Sequence, residues 1–139
     1  MNIFKKNRYA HDSETMMFYT LLAAVFFLPL SNAAATFALF LGWGFYLLRS
    51  HYAGWKWKRT VFDIPLAIFV IMGLLSIINS PQKMFSFYNY YHLVGKYLLI
   101  YYLAVQSITD EKQLKKIFAV LGVSALIVIL YGFIQYFAG

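Results

Sequence analysis

The sequence predicts an all-α fold, a polytopic integral membrane protein of about five transmembrane helices that opens with a helical hairpin. Three observations carry this expectation. Of 139 residues 62% are hydrophobic and only 12% charged, a balance far from that of a water-soluble domain. The apolar residues gather into long blocks. The basic residues gather between those blocks, most densely in RSHYAGWKWKR at Arg49 to Arg59, which holds four of the twelve Lys and Arg. Short cationic loops beside hydrophobic spans stay on the cytosolic side during insertion, so this loop fixes the sidedness of every other segment.

Residues 1–15 read as a polar cytosolic tail with Lys5, Lys6 and Arg8 ahead of Asp12 and Glu14. From Met16 to Leu48 there are 33 residues without a charge. As one helix they would be about 50 Å long at 1.5 Å per residue. Fitting that into a hydrocarbon layer of about 30 Å needs a tilt beyond the usual range of roughly 0 to 40°. A break at Pro29-Leu30-Ser31-Asn32 resolves the conflict, because Pro lacks a backbone donor and Ser and Asn favour turns. Two short spans result, 16–30 and 33–48, each only about 22 to 24 Å long. Their turn is therefore expected slightly below the outer surface. With this hairpin, ten of the twelve basic residues are cytosolic; without it the tail moves outside and only seven are.

Ala34, Ala38 and Gly42 recur every four residues in the second span, a small-residue row suited to close helix approach. The third span, 64–78, starts beside Asp63 and Pro65, where Asp63 can cap exposed amides and Pro is tolerated. Asn79-Ser80-Pro81-Gln82 ends it and opens an outer loop rich in tyrosine, whose Tyr88, Tyr90 and Tyr91 fit an interfacial belt. The fourth span, 89–105, contains Lys96. Thr109 or Asp110 can cap the fifth, 116–138, which is about 33 Å long. Trp55 and Trp57 read as cytosolic interface anchors.

Several chemistries are excluded or unsupported. With no cysteine there is no disulfide, thiolate nucleophile or Cys-ligated zinc. His11, His51 and His92 have no metal-ligand spacing, and no Walker, Rossmann or zincin motif occurs. No metal site, no cofactor and no catalytic residue is therefore expected. The net charge of +7 comes without a nucleic-acid-binding motif, so nucleic acid is not an expected partner. The lipid bilayer is, with anionic headgroups against the basic loops. All five carboxylates fall on the cytosolic side, which leaves the outer face with Lys83, His92, Lys96 and tyrosines. The candidates for substrate binding are Lys96, whose ammonium either snorkels to lipid phosphate or meets the phosphate of a lipid-linked substrate, and His92, an interfacial residue or a general base. Tyr97 and Tyr101 share a helix face, for helix packing or for stacking on a sugar.

The chain resembles the N-terminal part of the O-antigen ligase and polymerase superfamily. The likeness rests on FLPLS at Phe27 to Ser31, Asp63 with Pro65 opening a helix that ends in IINSPQ at Ile77 to Gln82, and the Lys96 to Leu99 stretch. ITDEKQLKKI at Ile108 to Ile117 and YGFIQYFAG at Tyr131 to Gly139 complete it. The resemblance implies a glycosyltransferase of the bacterial inner membrane, with its N-terminus cytosolic, that uses an undecaprenyl-diphosphate-linked glycan without a metal. It also implies that this chain is the N-terminal part of a longer membrane domain, inactive alone, with later helices as partners and the family's catalytic arginines and histidine beyond Gly139. The alternative expectation is a small non-enzymatic multi-pass protein, a transporter subunit or assembly scaffold.

Overall fold

A computed structural model describes residues 3–138. The chain is all-helical, with helix over 84% of its residues and no strand among those described. The elements are α1 (Ile3–Phe27), α2 (Asn32–Ala53), α3 (Asp63–Ile78), α4 (Lys83–Tyr90), a π-helical segment (Tyr91–Gly95), α5 (Lys96–Ser107) and α6 (Glu111–Ala138). Because α4, the π segment and α5 follow one another without interruption, they make one rod of about 38 Å. Five rods therefore account for the chain.

The break at Pro29 is present. The amides of Leu30 and Ser31 both donate to the Phe27 carbonyl, at 3.0 and 2.7 Å, and the Ser31 hydroxyl caps α2 by accepting from the Ala34 amide at 3.4 Å. Hence α1 and α2 form an antiparallel hairpin. Its arms are longer than expected from the charge pattern. Residues 9–15, expected to be tail, continue α1, and α2 runs past Leu48 to Ala53. Each extension gives the other something to pack on: Ala10 is buried, Tyr9 stacks on Tyr52 at 5.6 Å, and Glu14 pairs with Arg49 at 2.7 Å. At 22 residues, α2 is about 33 Å long. The tail cations Lys5, Lys6 and Arg8 fall outside the described side chains.

The core lies between α1, α2 and α5, where Met17, Leu21, Ala24, Leu39, Tyr46 and Leu103 are buried together. The small-residue row is part of it: Ala38 and Gly42 are buried, joined by Ala35, while Ala34 is only half-buried. A Cβ on Gly42 would lie 2.5 Å from Leu103 Cδ2 and 3.0 Å from Thr20 Oγ1. Glycine there lets α2 touch α1 and α5 at once. Gly54 ends α2 at φ +86°, a conformation that side chains with a Cβ resist.

The remaining boundaries differ from expectation for local reasons. α3 begins at Asp63, one residue ahead of the span expected over 64–78, with Phe62 at the cap position and no side-chain cap. The loop after α3 shrinks to 79–82 because α4 starts at Lys83, paired Ser80 and Ser86 hydroxyls at 2.6 Å closing it. α6 begins at Glu111, ahead of the span expected over 116–138: Gln113 Oε1 accepts from the Thr109 amide at 2.8 Å, and the Asp110 carbonyl accepts the first helical amides.

Two helices, α2 and α6, are long and apolar enough to cross a membrane. In α6 the apolar residues face all directions, and Ser124 is its one buried residue among those described. None of the residues of α3 is buried. A helix that is apolar all round belongs in a protein interior or in lipid.

Candidate functional site

The rod formed by α4, the π segment and α5 carries both sequence candidates. Inserting a wider turn into a helix rotates everything after it, and π segments are frequent at functional positions. Here the face leading to Tyr90 meets α3, where the phenol donates to the Val70 carbonyl at 3.0 Å above Gly73. The face after Gly95 meets α2, where the Trp43 indole donates to the Leu99 carbonyl at 3.3 Å.

Lys96 lies on that second face and is buried, 3% exposed. Its ammonium donates to the Asn32 carbonyl at 3.4 Å and to Asn32 Oδ1. The one cation within an apolar block is thus turned inward to the hairpin turn, tying the first residue of α2 to the first of α5. His92 is half-buried, four residues earlier, and its ring lies 4.3 Å from that of Tyr88 and 5.5 Å from that of Tyr91. The structure places both residues near the middle of the rod but gives them separate partners.

Between α3 and α5 runs an apolar groove of about 500 Å³, walled by Phe62, Leu66 and Phe69 on one side and Leu93, Tyr97 and Tyr101 on the other. It exists because α3 is tied to the rod at its start and at its midpoint and stands away between those two ties. One tie is Tyr90 to Val70. The other is a polar lattice below the groove: Tyr101 donates to the Thr60 hydroxyl at 3.0 Å, which donates to Asp63 Oδ1 at 2.6 Å, and Tyr102 donates to the same carboxylate at 3.2 Å. Asp63 thus reaches back to Thr60, whose amide also donates to it at 3.1 Å, instead of capping the amides ahead of it. Tyr97 and Tyr101 both line the groove, the second with its phenol committed to the lattice.

Gln106, which sequence reasoning missed, organises the basic loop. It is 2% exposed and grips the backbone of Lys58 from both sides, accepting from its amide at 3.0 Å and donating to its carbonyl at 3.1 Å. The Lys58 ammonium donates to the Ile108 carbonyl at 2.9 Å. Burial lowers the Lys58 pKa from its ordinary value and neighbouring Arg49 lowers it further, against an opposing pull from Glu14. The loop therefore folds back on the helices, and Trp57, expected as a membrane anchor, lies 5.4 Å from Tyr102 and 6.3 Å from Trp43. The only sequence signal was a polar residue closing an apolar block.

Among the described residues, no three His, Asp or Glu side chains converge in a way that would hold a metal. The arrangement can hold an apolar chain in the groove; it presents no nucleophile with a base beside it. No protein-family model, curated protein or solved structure matches the chain.

Proposed function

We propose that this chain is a multi-pass protein of the bacterial inner membrane, the scaffold region of an O-antigen ligase-like transferase, with its N-terminus in the cytosol. On this reading all five rods cross the bilayer, and the α3–α5 groove takes part of the isoprenoid tail of an undecaprenyl-diphosphate-linked glycan. The residues of this chain hold and orient that carrier and contribute no catalytic group.

The observation that carries the proposal is the groove itself: wholly lined by apolar and tyrosine side chains, open along its length, and closed below by a polar lattice that an aliphatic chain has no reason to enter. The unburied apolar faces of α3 and α6 support the membrane setting, since exposing them to water would forfeit about 25 cal/mol for each Å² of apolar surface. Lys96 supports it differently: its buried ammonium stiffens the outer end of the hairpin, beside which the diphosphate head would pass.

A photoreactive polyprenyl diphosphate tests the proposal. It is expected to crosslink to the groove walls of the purified protein, with Leu66→Trp abolishing the crosslink by filling the space. Equal crosslinking in Leu66→Trp would sink the assignment. Sidedness is tested separately in intact cells with an impermeant maleimide on Lys83→Cys and Lys58→Cys. Labelling at 83 and not at 58 is expected, and the reverse pattern inverts the orientation.

A further inference from the structure

A second cavity, of about 240 Å³, lies between α1 and the start of α6, away from the groove. His11, Glu14, Thr15 and Phe18 follow helical spacing and form one stripe of α1, while Thr109, Gln113 and Lys116 form a matching stripe across the turn into α6. The end of α5 closes the cavity between them. Most of its polar groups are already committed. Gln106 is taken up by Lys58, the Ser107 hydroxyl donates to the Leu103 carbonyl at 2.6 Å, and that of Thr15 donates to the His11 carbonyl at 3.1 Å. Gln113 uses its oxygen for Thr109, and Glu14 is neutralised by Arg49 at 2.7 Å. Four groups in the lining remain uncommitted among the described residues: the Lys116 ammonium, the Gln113 side-chain amide, the His11 imidazole and the Tyr19 phenol.

We infer that this cleft binds the phosphate of an anionic phospholipid headgroup in the cytosolic leaflet. Three donors and an imidazole around a carboxylate paired with Arg49 suit an anion. The volume is below the roughly 300–1,000 Å³ of pockets for drug-sized ligands. At about 30 Å³ per water it equals about eight waters, enough for a hydrated phosphodiester. The lipid, rather than free phosphate, is indicated by Tyr19, which lines the cleft beside the buried Phe18 and is 60% exposed, an outward path for acyl chains that a free ion has no use for.

The assignment of leaflet rests on the membrane orientation proposed above; the cleft and its chemistry do not. The test uses the full chain in phosphatidylcholine nanodiscs titrated with phosphatidylglycerol, with retained lipid counted by native mass spectrometry. Preferential retention of phosphatidylglycerol is expected, with Lys116→Gln weakening the preference about fivefold and Lys83→Gln, at the opposite end of the molecule, leaving it unchanged. Lys116 and Lys83 are exposed, and unchanged circular dichroism confirms that both variants fold. Equal effects of the two substitutions, or none from either, overturn the cleft. Displacement by inorganic phosphate in the wild type, with no preference between the two lipids, overturns the lipid source. Labelling of Lys116→Cys from outside intact cells overturns the orientation alone, leaving the nanodisc result to stand or fall by itself.

Discussion

Gly42→Ala adds one methyl group where three helices meet, and its cost follows from geometry. The new carbon would lie 2.5 Å from Leu103 Cδ2, whereas non-bonded carbons rest about 3.5–4.0 Å apart. A displacement of about 1 Å is therefore required. Leu103 is 0% exposed, so it cannot swing into empty space, and Thr20 Oγ1 on the other side lies only 3.0 Å away. Overpacking of this kind costs roughly 1–3 kcal/mol, partly offset by about 1 kcal/mol of helix propensity. Gly44 supplies the control. It lies on the same helix with nothing within 4 Å of its would-be Cβ, so Gly44→Ala gains the propensity without the clash. The two variants are expected to differ by roughly 1–3 kcal/mol, Gly44→Ala being the more stable. Reversible unfolding in mixed micelles with increasing SDS, followed by circular dichroism, measures the difference. Trimming the partner with Leu103→Val in the Gly42→Ala background should recover part of it, a coupling of roughly 0.5–3 kcal/mol between contacting residues. If the two alanine variants agree within about 0.5 kcal/mol, the close approach of α2 to α5 is wrong.

Other consequences are open to measurement. Gln106→Ala removes two hydrogen bonds to the Lys58 backbone, a loss of roughly 2 kcal/mol at about 1 kcal/mol each; in a Trp55→Phe background the freed loop should red-shift tryptophan emission, and an unmoved spectrum refutes the clamp. Asp63→Asn removes the charged acceptor that Thr60 and Tyr102 share and should lower stability in the same micelle assay, an unaltered unfolding midpoint contradicting the lattice. Tyr90→Phe deletes the hydrogen bond to Val70, worth about 0.5–1.5 kcal/mol. Faster hydrogen exchange along α3, with α2 unaffected, is the expected outcome, and unchanged exchange on α3 would show that the upper tie does not hold the helix.

By itself the sequence determined where the chain must break and which helices lack a polar face. Proline at 29 cannot donate within a helix, and the serine and asparagine after it favour a turn, so the hairpin is local chemistry and was legible. So was the uniform apolarity of α3 and α6, and the rarity of a lysine such as Lys96 inside an apolar block. Tertiary structure decided what those residues meet. Helicity of residues 9–15 depends on Tyr52 and Arg49, far along the chain, and the polar composition of the segment gave no sign of it. The π segment was equally hidden, and by rotating the second half of its rod it turns Lys96 toward Asn32, 64 residues away. Gln106 finds the Lys58 backbone in the same way, through a helix orientation that several packed contacts set together. Side-chain partners across helices depend on axial rotation and rise, quantities that no single segment encodes, whereas breaks and apolar faces are properties of each segment alone.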